Sequence, residues 1–134
     1  MQSKQNTGMR GVFLVAAELS RFGYIVSPTS RSAYGADLLV TNRDCSKAYS
    51  VQVKTNARTF SHWLLNKNSK EMYSRSHIYV FVNLRKRGNL IEYFVIPSKI
   101  VSNKMKIQER PKNTWYWISY EDAKSYENNW KIFG

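Results

Sequence analysis

Residues 35 to 55 read GADLLVTNRDCSKAYSVQVKT, and this stretch decides the fold. An apolar run with a single acid, Ala36 to Val40, leads into turn-forming residues from Asn42 to Ser46. A second run, Lys47 to Thr55, alternates polar and apolar side chains at its end. Two short runs joined by turn residues are typical of a β-hairpin, so we expect these two strands to pair antiparallel.

Three polar side chains of this hairpin form a candidate catalytic site. A register centred on the turn brings Asp37 to the level of Gln52, and Lys54 lies on the same face two residues further along. Phosphodiester hydrolysis needs a carboxylate for a divalent cation, a second oxygen ligand, and a cation that orients water or stabilises charge on phosphorus. Asp37, Gln52 and Lys54 match these needs. The carbonyl of Val53 completes a weak site for Mg²⁺ or Mn²⁺.

The stretch before the hairpin predicts one helix and one strand. Residues 1 to 7 are polar and expected to be frayed. Met9 to Phe22 carries apolar residues at helical spacing, and Gly23 is a stop signal. Tyr24 to Ser27 is a short strand candidate that Pro28 ends.

Further elements follow the hairpin. Strands are predicted at His62 to Leu65, at His77 to Leu84 and at Leu90 to Ile96, the last two forming a hairpin. Helices are predicted at Ser98 to Lys106 and from an N-cap at Ser119 to Trp130. We expect one domain over residues 1–134, an α/β (α+β) fold in which helices flank a mixed central sheet built on an αβββ core.

At three places the sequence resembles the PD-(D/E)xK nuclease superfamily. Ala16 to Tyr24 (AAELSRFGY), Gly35-Ala36-Asp37 and Gln52-Val53-Lys54 look like its first helix, its acid and its (D/E)xK element. Holliday-junction resolvases and a homing-endonuclease branch with Gln in the second acidic position are similar in layout. The resemblance implies a restriction-endonuclease-like fold and a metal-dependent endonuclease that hydrolyses DNA, with a homo-oligomer, a dimer, expected by analogy.

Three positions depart from the superfamily pattern, and the two that lack an acid weaken the expected metal site. Ala36 replaces the proline before the acid, Gln52 replaces the second carboxylate, and Val12 stands where many relatives carry a helical Glu. Glu18 is rotated away from the Val12 position, and a surface pair with Arg21 is favoured for it. A nucleic-acid-binding module that kept the fold and lost the metal therefore remains the alternative.

The charge balance favours a polyanionic partner. Lys and Arg number 21 against 9 Asp and Glu, a net charge of +12. Nucleic acid, DNA in the first place, is the leading partner. A membrane surface would call for a basic amphipathic helix or a lipidation motif, and neither is seen. A toxin-type or immunity-type protein that binds an acidic partner is a third reading.

Several basic side chains near the candidate site are expected to contact phosphates. The preferred ones are Arg31, Arg58 and Lys67, and a second group in the predicted turn is Arg85, Lys86 and Arg87. Glu18 and Ser30 are accessory candidates at the site.

Other residues bear on location and on competing sites. We expect a cytoplasmic protein, because the chain has one cysteine, Cys45, and shows neither a signal-peptide pattern nor a long apolar run. His62 and His77 lack metal-ligand spacing, and each is expected to be a structural or a surface histidine. The four tryptophans suit stacking on bases, but the alternation at 114–118 favours core or sheet-face positions for most of them.

Overall fold

The computed structural model describes residues 3–30, 35–85 and 90–134. Helix α1 spans Lys4–Arg21, and Oγ of its N-cap Ser3 accepts a hydrogen bond from the backbone N–H of Asn6. The expectation that residues up to 7 are frayed is therefore wrong for residues 4–7. The N-cap hydroxyl satisfies a backbone donor of the first turn, and this stabilises a helix start that apolar spacing alone does not reveal.

Eight strands are described. They are β1 Ile25–Pro28, β2 Leu38–Thr41, β3 Ala48–Asn56, β4 His62–Leu65, β5 His77–Leu84, β6 Ile91–Pro97, β7 Lys106–Glu109 and β8 Thr114–Ser119. All the strands expected from the sequence are present within one or two residues of their predicted ends.

Five of these strands form a mixed central sheet in the order β1-β2-β3-β5-β6. Neighbours pair antiparallel except β3 and β5, which run parallel. A parallel pair needs a crossover, which here contains β4 and the short helix α2, Asn68–Glu71. The predicted mixed sheet on an αβββ core is confirmed.

The other three strands form a second, antiparallel sheet in the order β4-β8-β7. Its strand β7 begins where the sequence still predicted helix, because α3 spans only Ser98–Lys104. No helix in the described part of the chain combines the length and the apolar character needed to cross a bilayer.

The predicted helix from Ser119 to Trp130 is wrong beyond its first turn. Ser119 is the N-cap, accepting from the backbone N–H of Asp122, but α4 covers only Tyr120–Ala123, and 3₁₀ turns follow. The backbone of Glu127 instead bridges to Phe94, and the N–H of Asn128 donates to the carbonyl of Tyr93 at 2.8 Å. Pairing with β6 thus replaces the hydrogen bonds that would continue the helix.

The central sheet separates two apolar layers. On one face, α1 packs against apolar side chains that occupy every second position of the strands, including Leu38, Val40, Val51 and Val53. On the other face, the second sheet, α3 and α4 cover Tyr79, Phe81 and Phe94, and Trp63 packs against the rings of Phe81 and Phe94. Gln52 and Lys54 alternate with Val51 and Val53 along β3, and they therefore lie on the face of the sheet opposite α1.

Candidate functional site

The β2–β3 hairpin places Asp37 as its sequence predicts. Leu38 pairs with Val51, so Asp37 comes opposite Gln52. The backbone N–H of Asp37 donates to the carbonyl of Val51 at 2.8 Å, and Oδ2 of Asp37 accepts from the backbone N–H of Val53 at 2.8 Å. One carboxylate oxygen is thus fixed against β3, and Oδ1 remains as a metal donor.

Gln52 and Lys54 follow on the same face of β3, half-buried beside Tyr79 and Phe81 of the parallel neighbour β5. Burial lowers the pKa of Lys54, because removal from water disfavours the ammonium, while the negative charge of Asp37 acts in the opposite direction. The negative charge of Asp37 therefore offsets part of the effect of burial on the Lys54 ammonium. A partly desolvated ammonium interacts more strongly with an anion than one in bulk water.

A cleft of about 300 Å³ opens beside Asp37, between the N-terminal half of α1 and the end of β1. Its lining includes Ser30, an accessory candidate, and Val12. The helix thus presents an apolar side chain where the superfamily pattern has an acid. It also presents Gln5, a residue not predicted at the site because the polar residues before the helix were expected to be frayed.

A larger cavity of about 690 Å³ begins at Lys54 and lies between the start of α1 and β4. Lys4 lines both cavities and so connects them. Arg58, predicted to contact phosphate, lines this cavity, as do His62 and Leu64. The volume is that of a pocket for a small organic group such as a nucleotide.

Metal binding is limited by the donors present. Within residues 3–30, 35–85 and 90–134, no three Asp, Glu, His or Cys side chains converge as a metal site would require. Asp37 offers one oxygen, and the amide of Gln52 and the carbonyl of Val53 are uncharged. Mg²⁺ is often held by one or two carboxylates and keeps several waters, so this set fits one weakly bound hard cation.

The other predicted phosphate contacts are dispersed. Arg31, Lys86 and Arg87 lie outside the described residues. Lys67 is exposed just before α2 and lines neither cavity. Arg85 forms an ion pair with Glu92, and its guanidinium lies 4.9 Å from the ring centroid of Phe60. The charge of Arg85 is therefore already paired with that of Glu92, which does not suit a phosphate contact.

Glu18 lies outside both cavities, and its carboxylate pairs with Arg21 at 2.7 Å, as expected. His77 is buried, with one ring nitrogen 2.7 Å from Oγ of Ser50, and His62 contacts Ser61 at 3.0 Å. These partners fit the structural roles predicted for both histidines.

No family model and no curated protein matches the chain. Among solved structures, the Holliday junction resolvase Hjc of Archaeoglobus fulgidus is similar with a TM-score of 0.59 and 12% identity, over 93% of this chain and 94% of that one. The bacterial homing endonuclease I-Ssp6803I has a TM-score of 0.60 and 14% identity, over 98% and 91%.

These two neighbours are a Holliday junction resolvase and a homing endonuclease, the two kinds of protein whose layout the sequence resembles, so the predicted fold is confirmed. At these identities the similarity concerns the fold alone. What the site does has to be argued from its own residues.

Proposed function

We propose that this chain is a metal-dependent endonuclease-like domain that hydrolyses DNA phosphodiester bonds at Asp37, Gln52 and Lys54. The observation that carries the proposal is the position of Asp37 opposite Gln52 on the paired β2–β3 hairpin, two residues from Lys54, whose ammonium the charge of Asp37 favours. A carboxylate next to a partly desolvated ammonium suits the recognition of a cation and a phosphate together.

The roles of the three residues follow from their chemistry. Oδ1 of Asp37, the amide oxygen of Gln52 and the carbonyl of Val53 would hold Mg²⁺ or Mn²⁺, weakly because only one donor is charged. A bound divalent ion supplies Lewis acidity and lowers the pKa of a coordinated water. Lys54 donates hydrogen bonds to a non-bridging phosphate oxygen and stabilises the charge that develops there. Its burial keeps competing water away from the ammonium.

The surroundings support a nucleic acid as the partner. A net charge of +12 attracts the phosphate backbone, and Lys4 and Arg58 line the cavities that continue from Lys54. A homodimer, which would let two such sites reach both strands of a duplex, and a cytoplasmic location, which suits the exposed free Cys45, complete the proposal.

A second candidate is a nucleic-acid-binding module with the same fold and no catalysis. Val12 and Gln52 favour it, because both positions lack the carboxylate that the nuclease pattern has there. The two candidates share the cationic surface and differ in metal dependence.

Cleavage assays with variants distinguish them. Plasmid, branched and single-stranded DNA are incubated with Mg²⁺ or Mn²⁺, and binding is measured separately without metal. The enzyme is supported if Asp37→Ala and Lys54→Ala abolish cleavage while binding persists. Lys47→Ala is the matched control, since it removes the same charge from the exposed turn of the same hairpin. Binding without cleavage on every substrate with either metal would establish the module instead.

A further inference from the structure

The second sheet has an outer face that the core does not use. Leu64 of β4 lies opposite Trp117 of β8, which lies opposite Lys106 of β7. Side chains that oppose each other directly in an antiparallel pair share a face, and Trp115, two residues from Trp117, shares it as well. The inner face of the same sheet carries the buried Trp63.

Apolar and aromatic groups on this outer face are accessible. Leu64 is 52% exposed, Trp115 is 37% exposed, and Trp117 is half-buried. The Cα atoms of Trp115 and Trp117 are about 7 Å apart along the strand, given its rise per residue. We call Leu64, Trp115 and Trp117 the tryptophan face.

Charge accompanies the aromatic rings at one end of this face. The guanidinium carbon of Arg110 lies 4.9 Å from the ring centroid of Trp115, and Nη2 of Arg110 donates to Oε1 of Gln108 at 3.2 Å. Lys106 pairs with Asp122 at 3.4 Å, so its charge is partly neutralised. Arg110 is therefore the cation best placed to meet a phosphate beside Trp115.

At its other end the tryptophan face reaches the candidate site. Leu64 lines the cavity of about 690 Å³ that also contains Lys54 and Arg58. A chain lying along the sheet from Trp115 past Trp117 and Leu64 would therefore enter the cavity beside Lys54.

We infer that the tryptophan face binds unpaired nucleotides, their bases stacking on Trp115 and Trp117 and their phosphates meeting Arg110 and Arg58. The inference rests on the proposed function and specifies its substrate class as DNA with a single-stranded stretch beside the bond that is cleaved. Aromatic rings on a basic sheet surface bind single strands in this way, because every base has a face that stacks.

A second copy of this chain is the competing occupant, and the size of the face disfavours it. The face offers three apolar side chains, whereas a stable protein interface takes about 20–30 residues from each partner.

The test is fluorescence anisotropy without metal, using labelled oligothymidylate, a blunt duplex, and the same duplex with a single-stranded tail. Trp115→Ala should weaken binding of oligothymidylate and tailed duplex by at least about fivefold and leave the blunt duplex unchanged. Trp115→Phe should retain most of the affinity. Phe13→Ala is the matched control, since it removes an exposed aromatic ring from α1.

Intrinsic tryptophan fluorescence of the unmodified protein is a second measurement that needs no variant. Oligothymidylate should quench it, and absence of quenching would overturn the inference. Two results with Trp115→Ala would also overturn the inference. One is equal weakening of binding to blunt duplex and to oligothymidylate. The other is a change in the molecular mass of the protein, measured by sedimentation, without a change in DNA binding.

The outcomes for this face and for catalysis can be separated. If cleavage depends on Asp37 but Trp115→Ala does not change oligothymidylate binding, the inference about the tryptophan face is contradicted and the nuclease proposal is not. If oligothymidylate binding depends on Trp115 but no DNA is cleaved, the nuclease proposal is contradicted and the inference about the tryptophan face is not.

Discussion

Gly11 of α1 lies so close to Thr55 of β3 that a Cβ added at Gly11 would be 1.7 Å from Oγ1 of Thr55. That hydroxyl oxygen is buried and has no hydrogen-bond partner among the described residues. Thr55 is adjacent to Lys54, so this contact sets the distance between the helix and the strand that carries the candidate site. Only a residue without a side chain allows so close an approach.

Gly11→Ala should therefore lower the free energy of unfolding by about 1–3 kcal/mol, the usual cost of overpacking. Gly8→Ala, three residues earlier in the same helix, is the control. No atom lies within 4 Å of a Cβ at Gly8, and alanine should stabilise the helix there by about 0.5–1 kcal/mol. Urea denaturation measures both, and equal effects of the two substitutions would contradict the packing argument.

His77 should make stability depend on pH. Burial lowers the pKa of His77 below its ordinary value of 6.5, and its Nε2 is buried without a partner in the described part of the chain. The unfolded state then binds the proton more readily than the folded state. Stability should be greatest above pH 6.5 and fall as the pH drops from there towards the lowered pKa.

Urea denaturation over about pH 5 to 8 tests this, with His77→Gln expected to flatten the dependence below the ordinary pKa. His62→Gln is the control, and it should leave the dependence attributed to His77 in place. A pH profile that His77→Gln does not change would contradict the assignment.

Arg58 should contribute to DNA binding and Arg85 to stability, although both were predicted to contact phosphates. Arg58→Ala should weaken DNA binding and reduce the slope of log Kd against log salt concentration by about 1, since one phosphate contact is lost. Arg85→Ala should leave that slope unchanged. It should instead lower stability by up to about 1 kcal/mol, because the ion pair with Glu92 is lost while the hydrogen bonds of Glu92 with Asn83 and Tyr120 remain.

Salt titrations monitored by fluorescence anisotropy, together with urea denaturation, measure both properties on both variants. A reduced salt slope for Arg85→Ala would show that the ion pair with Glu92 opens when DNA binds.

Gln52→Glu should strengthen metal binding. The substitution adds a second carboxylate opposite Asp37, and charged donors raise the affinity of oxygen sites for divalent ions, here by roughly tenfold. Electron paramagnetic resonance of free Mn²⁺ measures this without any need for activity. Gln108→Glu adds the same charge on the exposed strand β7 and should have little effect. Equal gains from both variants would indicate general electrostatic attraction and no site at Asp37.

The hairpin and its polar triad are predictable because both depend on short-range rules. Turn residues from Asn42 to Ser46 set the register, and the two-residue period of a strand aligns Gln52 with Lys54. The helix predicted from Ser119 to Trp130 failed because a local acidic and apolar pattern cannot show that the backbone of Glu127 pairs with β6. The ion pair of Arg85 could not be predicted for a similar reason, since its partner Glu92 lies on the neighbouring strand.

By itself, the sequence determined the alternation of strands, the hairpin register and the cationic character of the chain, since each depends on residues close together or on composition. Tertiary structure alone decided which side chains share a cavity with Lys54, which arginines are already paired, and that Trp115, Trp117 and Leu64 form one surface. These properties depend on contacts between strands that are far apart in the chain, and the pairing of β4 with β8 is set by the packing of the whole core.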